Sequence, residues 1–285
     1  MRVVVTGAAG QVGTELVAEC RRRPELELVA LTHAELDVAD RERVRRTLAE
    51  VRPELVLHPA AFTAVDACET DPERAFAVNA LGTRNLAEAA RHVGAHLAYV
   101  STDYVFDGTL MRPYHEWDAP NPLSVYGASK LAGERELDPG ATIARASWVC
   151  GRVGQNMAKT VLRLMRASSA PLRFVEDQRG SPTFAADFAP RFVELALERR
   201  PGVYHLTNAG STTWYGFARA VLELAGEDPA RVEPITTAEL EPPRPAPRPA
   251  NSVLDNAALR LLGAEPLPFW RDSLGRLVAE LLASS

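Results

Sequence analysis

The first hundred residues alternate two hydrophobic rhythms. Short runs of β-branched and aliphatic residues, "RVVV" at 2–5, "LELVAL" at 26–31, "ELVLHPAA" at 54–61 and "HLAYVST" at 96–102, read as strands. Between them lie stretches with apolar positions three and four apart: "VGTELVAECRRR" after the first, "VRRTLAEV" after the second, and the long "RAFAVNALGTRNLAEAARHVG" after the third. Strands separated by helices require crossover connections, which are right-handed and give a parallel sheet. The expected fold is α/β, a Rossmann-like doubly wound parallel sheet.

Beyond residue 145 the rhythm loosens. "ATIARASWV" at 141–149 reads as one more strand; later segments mix helical patterns, prolines and short strands such as "GVYHLTN". The expected division is a dinucleotide-binding domain over 1–147 and a smaller substrate-binding lobe over 148–285, with some later elements returning to the sheet. "EPPRPAPRP" at 241–249 has polyproline composition and reads as a stiff surface connection.

Composition narrows the field. A hydrophobic fraction of 46% supplies a core, and a net charge of −5 gives no reason to expect nucleic acid or an anionic membrane as partner. No apolar run reaches membrane-span length, and the opening runs straight from a short strand into a glycine turn, without the apolar core of a signal peptide. Cys20, Cys68 and Cys150 are odd in number and far apart, which fits neither a disulfide framework nor a CxxC site; a reducing cytoplasm is the expected location.

The chemistry begins at "VVVTGAAGQVGTEL". Gly7, Gly10 and Gly13 lie between the first strand and first helix, where glycine permits a tight turn and close approach to a pyrophosphate, and a helix N-terminus offers unpaired amides. A dinucleotide is therefore the expected ligand of this turn. At the end of the second strand Thr32 and His33 stand where an acidic residue normally binds the free ribose 2′-hydroxyl of NADH. That substitution removes the usual repulsion of a 2′-phosphate and points to NADPH or to use of both cofactors. Arg41 and a protonated His33 are candidate helpers, and Asp37 and Val38, after an expected further short strand, are candidates for the adenine side.

A second signal comes from lysine scarcity. Of 32 basic residues only Lys130 and Lys159 are lysines. Lys130 follows Tyr126 by four residues in "SVYGASKLAG", so both side chains share one helix face. A neighbouring ammonium favours phenolate and so brings a tyrosine closer to proton transfer at neutral pH, and it can bind ribose hydroxyls as a compact charge that guanidinium does not reproduce. Thr102 ends a predicted strand at the carboxyl edge of the sheet, where a hydroxyl can support a carbonyl oxygen as charge develops. Taken alone, Thr102 also reads as a turn or cap residue, the Tyr/Lys pair as an amphipathic helix face, and Trp148 as core.

Together the glycine turn, Thr102, Tyr126 and Lys130 resemble the extended short-chain dehydrogenases/reductases. "TGAAGQVG", "STDYVFDG", "VYGASKLAGE", "RASWVCG", "NMAKTVLRL", "DQRGSPT", "YHLTNAGSTTWYGFA" and "RPANSVLD" follow in order the segments of the dTDP-4-dehydrorhamnose reductases, through nearly the whole chain. That resemblance implies NAD(P)H-dependent reduction of the 4-keto group of a dTDP-sugar. It also implies Tyr126 as proton donor, Lys130 as its partner, and Thr102 as the hydroxyl that orients the carbonyl. Gly10, Gln11 and Val12 would meet the pyrophosphate, Asp37 and Val38 the adenine, and Ala61, Phe62 and Thr63 the length of the cofactor; Asp103 and Trp148 match substrate positions.

The chain departs from the pattern at Thr32, at His58 for a frequent asparagine, and at Cys150 for a frequent tyrosine. Some members dimerise around magnesium held by glutamates. Glu15 matches one ligand but Ala186 stands at a second, so no metal is expected, while a homodimer stays open. Sugar dehydratases of the same superfamily carry Asp-Glu after the strand-end threonine; here Asp103 is followed by Tyr104, which argues for simple reduction. Another nucleotide-sugar reductase or epimerase, and a non-catalytic subunit resembling the regulator of methionine adenosyltransferase, are the alternatives, the latter disfavoured by the intact Thr/Tyr/Lys set.

Overall fold

A computed structural model describes residues 1–283. Its centre is a sheet of six parallel strands: β1 (Arg2–Thr6), β2 (Glu27–Leu31), β3 (Leu55–His58), β4 (His96–Thr102), β5 (Thr142–Ala146) and β6 (Gly202–His205), in the order β6-β5-β4-β3-β1-β2. β1 carries an unbroken apolar run because both its faces are covered. Val3 and Val5 face Phe188 and Phe192 in one core, while Val4 faces Val56 and Leu86 in the core on the opposite side. All of these side chains are fully buried.

The helices follow the predicted crossovers. α1 (Gln11–Arg21) follows β1, α2 (Arg41–Val51) follows β2, and the stretch after β3 runs from Pro72–Phe76 through one π-helical turn at Ala77–Leu81 into α3 (Gly82–Val93). α4 (Val125–Arg135) leads from β4 to β5. After β5 come α5 (Met157–Ala167), α6 (Ala185–Leu197), α7 (Trp214–Leu224) and α8 (Trp270–Ala283). α6 packs beside α1 under the sheet, whereas α5, α7 and α8 share a separate core with Phe174, Phe217 and Leu274.

Three local expectations change. The strand expected at 54–61 stops at His58, because Pro59 lacks the N–H that would continue the ladder. The segment 141–149 breaks after Ala146: Trp148 takes a left-handed φ of 48°, and Val149–Cys150 then pairs with Thr183–Phe184 away from the sheet. The short strand expected before Asp37 and Val38 does not form; the Glu35 and Leu36 N–H groups instead donate back to the Thr32 carbonyl in a tight turn. The sheet edge, β6, comes from far beyond β5 and pairs with it in register from Gly202–Thr142 to His205–Arg145.

The proline-rich stretch is pinned down rather than merely bridging. Arg248 forms a two-pronged pair with Asp66 at 2.6 and 2.8 Å, and the Ala246 amide donates to the same carboxylate. Among the described residues no helix is long and apolar enough to cross a membrane.

Candidate active site

Strand order reverses at β1, whose neighbours are β2 on one side and β3 on the other, so a crevice opens above the carboxyl ends of these strands. A cavity of about 850 Å³ lies there. Its floor at one end is the turn Thr6–Gln11. Gly7 has φ +55°, and a Cβ on it would meet the Ala60 backbone at 2.9 Å; a Cβ on Gly13 would fall 2.1 Å from the Gly7 carbonyl. Only glycine fits either position. No side chain caps the N-terminus of α1, so its first amides are left for an anion at the cavity wall. These are the residues a dinucleotide pyrophosphate needs, and the cradle fits one.

Gln11 serves a second purpose that sequence reasoning missed. Its Oε1 accepts from the Gly151 amide and from Asn156 Nδ2, both at 3.0 Å, and its Nε2 donates to the Gln155 carbonyl. The first residue of α1 thus ties the glycine turn to the loop that leads into α5. Lys159, the second lysine, donates to the Arg152 and Gly154 carbonyls of that same loop. Both lysines therefore donate to backbone carbonyls next to the cavity, a task for a compact three-donor head.

Along the cavity Val38, Ala61, Phe62 and Thr63 line the wall. Asn79, fully buried at the π-helical turn, clamps the Phe62 backbone by accepting from its N–H (2.8 Å) and donating to its carbonyl (3.1 Å). Such turns recur where a helix must present a group out of phase. Asp37 does not reach the cavity lining; its carboxylate caps the Ala39 amide at 3.0 Å. Arg41 turns away to pair with Glu88, while His33 stays at the cavity rim. At the end of β2 a carboxylate is present after all, supplied by Glu35, which accepts from Thr32 N and Oγ1 at 2.7 and 2.8 Å. Position 32 lacked an acid; the turn three residues later delivers one.

The sheet edge then brings Thr102, Tyr126 and Lys130 to one cavity. Ser124 caps α4 by accepting from Gly127 N, which starts the helix so that Tyr126 and Lys130 share its inner face. A Cβ at Gly127 would lie 2.1 Å from the Tyr104 carbonyl, so this glycine sets how closely α4 approaches β4. Lys130 is fully buried; its ammonium donates to the Val100 carbonyl at 2.7 Å and sits 4.0 Å over the Tyr99 ring. Burial pushes it down to about 7, with Glu134 opposing. One turn on, Glu134 accepts from Ser101 and forms a buried pair with Arg145, fastening α4 to β4 and β5.

The electrostatics differ from the simplest expectation. Burial raises the Tyr126 phenol well above its usual range; a hydrogen bond with Thr102 opposes this, and Asp103, Tyr104 and Cys68 add to it. Lys130 is turned to β4 and is not among those influences, so the protein without cofactor keeps Tyr126 protonated rather than drawn toward phenolate. Thr102 also fulfils its turn-capping reading, accepting from Tyr104 N at 3.2 Å. His58, buried between Thr6 and Thr83, is pushed down to about 3 by burial and stays neutral. Burial pushes Cys150 up to about 12, and it packs in the lobe core.

The opposite wall is aromatic. Trp148 is half-buried rather than core, and its ring stacks on Trp214 with centroids 3.4 Å apart and planes 7° apart. A Cβ on Gly180 would collide with the Trp148 ring at 2.4 Å, so a bare backbone supports the pair. Left-handed φ in so bulky a residue is strain, which persists where surrounding structure enforces it and is concentrated at functional sites. Trp214 opens α7 in "STTWYGFA", and no local signal tied it to Trp148. Tyr104 also lines the cavity and meets Tyr126 edge-on at 5.8 Å. Glu15 is paired with Arg152, Ala186 is exposed, and no cluster of His, Cys, Asp or Glu among the described residues could hold a metal ion.

With this geometry in view, the likenesses are informative. The family model described as RmlD substrate binding domain matches residues 1–283. The chain belongs to this family. It is 44% identical to dTDP-4-dehydrorhamnose reductase of Streptomyces griseus, over 96% of this chain and 91% of that protein. It is 43% identical to a probable dTDP-4,6-dihydroxy-2-methyloxan-3-one 4-ketoreductase of Streptomyces antibioticus, over 100% and 97%. Among solved structures, dTDP-4-dehydrorhamnose reductase of Bacillus anthracis in complex with NADP superposes with a TM-score of 0.92 at 37% identity, covering 98% of this chain and 99% of that one. The Rossmann-like fold expected from the sequence is the fold of the family.

Proposed function

We propose that the chain reduces the 4-keto group of dTDP-4-dehydro-L-rhamnose to dTDP-L-rhamnose, using NADPH or NADH. It is an oxidoreductase by family membership, which sets aside the non-catalytic regulator. The observation that carries the reading is the convergence of the glycine turn, Thr102, Tyr126 and Lys130 on one cavity of about 850 Å³, walled opposite by two indoles. The cofactor, when bound, supplies the hydride. Thr102 holds the carbonyl oxygen in place, and Tyr126, kept protonated by burial, gives that oxygen its proton. Lys130 sits one helical turn from Tyr126, placed to hold ribose hydroxyls and, once drawn from Val100, to stabilise the phenolate left behind. The indole wall takes the apolar face of a deoxysugar or a base.

A second reading differs only in the sugar, since a relative 38% identical is named dTDP-4-keto-6-deoxy-D-glucose reductase. The deciding assay gives purified protein dTDP-4-dehydrorhamnose and, separately, dTDP-4-keto-6-deoxy-D-glucose, each with NADPH and NADH. The expected result is nicotinamide oxidation with the first sugar at the higher kcat/KM. Preference for the second sugar would transfer the assignment to it, and no oxidation with any pair in folded protein would remove the reading.

A further inference from the structure

Among the described residues, the cavity lining carries one arginine and one lysine, and they stand in opposite states. Lys130 is fully buried and already bonded to the Val100 carbonyl at 2.7 Å. Arg74 is exposed, and among the described residues no ion pair joins its guanidinium to a carboxylate. It lies over the Phe62 ring instead, with its central carbon 4.6 Å from the ring centroid. That contact uses none of the guanidinium N–H donors, so they are free for an acceptor in the cavity.

Both supports of this arginine are fixed. The Asp71 carboxylate accepts from the Arg74 N–H at 3.1 Å, Pro72 opens the short helix Pro72–Phe76, and Ala75 is fully buried beneath it. On the other side, Asn79 grips the Phe62 peptide at both its N–H and its carbonyl. Val78, four residues after Arg74, lines the cavity too, and Gly82 beyond it packs so closely on Val38 that a Cβ would lie 2.8 Å from that side chain. Arg74 therefore belongs to the wall that Val78 and Val38 form, not to the indole wall.

We propose that Arg74 binds a phosphate of the dinucleotide that occupies this cavity. The inference rests on the cofactor reading given above and not on the identity of the sugar. A nucleotide pyrophosphate is doubly negative, whereas the N-terminus of α1 offers it roughly half a positive charge. The remainder calls for a full cation. A guanidinium supplies one at every working pH, in a planar fork that matches two phosphate oxygens. Lys130, held on Val100 one helical turn from Tyr126, is placed for the reacting end. Of the lysine and arginine on the lining, Arg74 is the one whose head is free to turn to a phosphate.

The test is the Kd of NADPH and of NADH, by fluorescence titration of the full chain without sugar, for the unaltered protein, Arg74→Gln and Arg74→Lys. Because Arg74 is exposed, neither change leaves a buried group without its partner. Arg74→Gln should weaken binding by about tenfold, and Arg74→Lys, which keeps the charge but not the fork, should lie between the two. An equal loss for both cofactors assigns the contact to the pyrophosphate, and a loss confined to NADPH assigns it to the 2′-phosphate; either supports the proposal. Added salt should weaken binding to the unaltered protein more steeply than to Arg74→Gln, which a merely structural role would not produce. Affinities of Arg74→Gln within about twofold of the unaltered protein for both cofactors would overturn the proposal, even with a raised KM for the sugar nucleotide. So would the same salt dependence in the two proteins. Failure of the unaltered protein to bind either dinucleotide would instead remove the cofactor reading beneath it.

Discussion

The two ends of the cavity are built on different principles. The cofactor end is made of backbone: the Gly7–Gly13 turn, the amides of α1 and the Phe62 peptide clamped by Asn79. The lobe end is made of side chains, Trp148 on Trp214 and Tyr104 against Tyr126, with the two indoles contributed by segments more than sixty residues apart. A backbone site tolerates almost no added atom, because its neighbours are carbonyls that cannot swing aside. A side-chain site can repack, so its function should degrade by degrees.

The sharpest break in that contrast is Gly13→Ala. The new Cβ would lie 2.1 Å from the Gly7 carbonyl, so the turn must open; dinucleotide binding followed by fluorescence titration should be lost entirely. Retained affinity would show that the cofactor end yields as readily as the lobe end. Tyr126→Phe, at the junction of the two, removes only the proton donor: kcat should drop roughly 10²- to 10⁴-fold, with cofactor affinity unchanged. A near-normal kcat would mean the donor lies elsewhere.

Lys130→Arg asks whether a charge alone suffices. The pocket under Tyr99 and Val100 holds a compact head at 2.7 Å, and a planar guanidinium has no room there, so both cofactor affinity and kcat should fall, on the order of tenfold each. At the lobe end Trp214→Ala should raise KM for the sugar nucleotide by about tenfold and leave kcat nearly intact, since stacked aromatic pairs contribute ~0.5–1.5 kcal/mol. A collapse in kcat instead would make the indole pair part of the chemistry. The smallest effect belongs to Glu35→Gln: removing an exposed carboxylate at the end of β2 should raise the NADPH to NADH ratio of kcat/KM a few-fold, in keeping with roughly 0.2–1 kcal/mol for surface charges.

The fold was legible where periodicity is local and strong. β4 runs over His96–Thr102 as expected, α4 carries Tyr126 and Lys130 on one face, and the helix before β4 differs only by its π-helical turn. It was illegible where one residue changes direction: Pro59 ending β3, or Trp148 turning left-handed inside a β-branched run. Glu35 carries no sequence signal, because only the folded turn after β2 brings its carboxylate back onto Thr32.

By itself the sequence determined the elements whose causes lie within a few residues: apolar runs that must be covered on both faces, glycines where a turn admits nothing larger, a phenol and an ammonium one helical turn apart. Only the tertiary structure decided what meets across long separations. It put Asp103 on Ser147, stacked Trp148 on Trp214, and set Gln11 to hold a loop some 140 residues away. It also decided protonation, since burial rather than the neighbouring lysine sets the state of Tyr126. Spacing along a chain fixes local geometry, but desolvation depends on everything packed around a group, and no short stretch of sequence contains that.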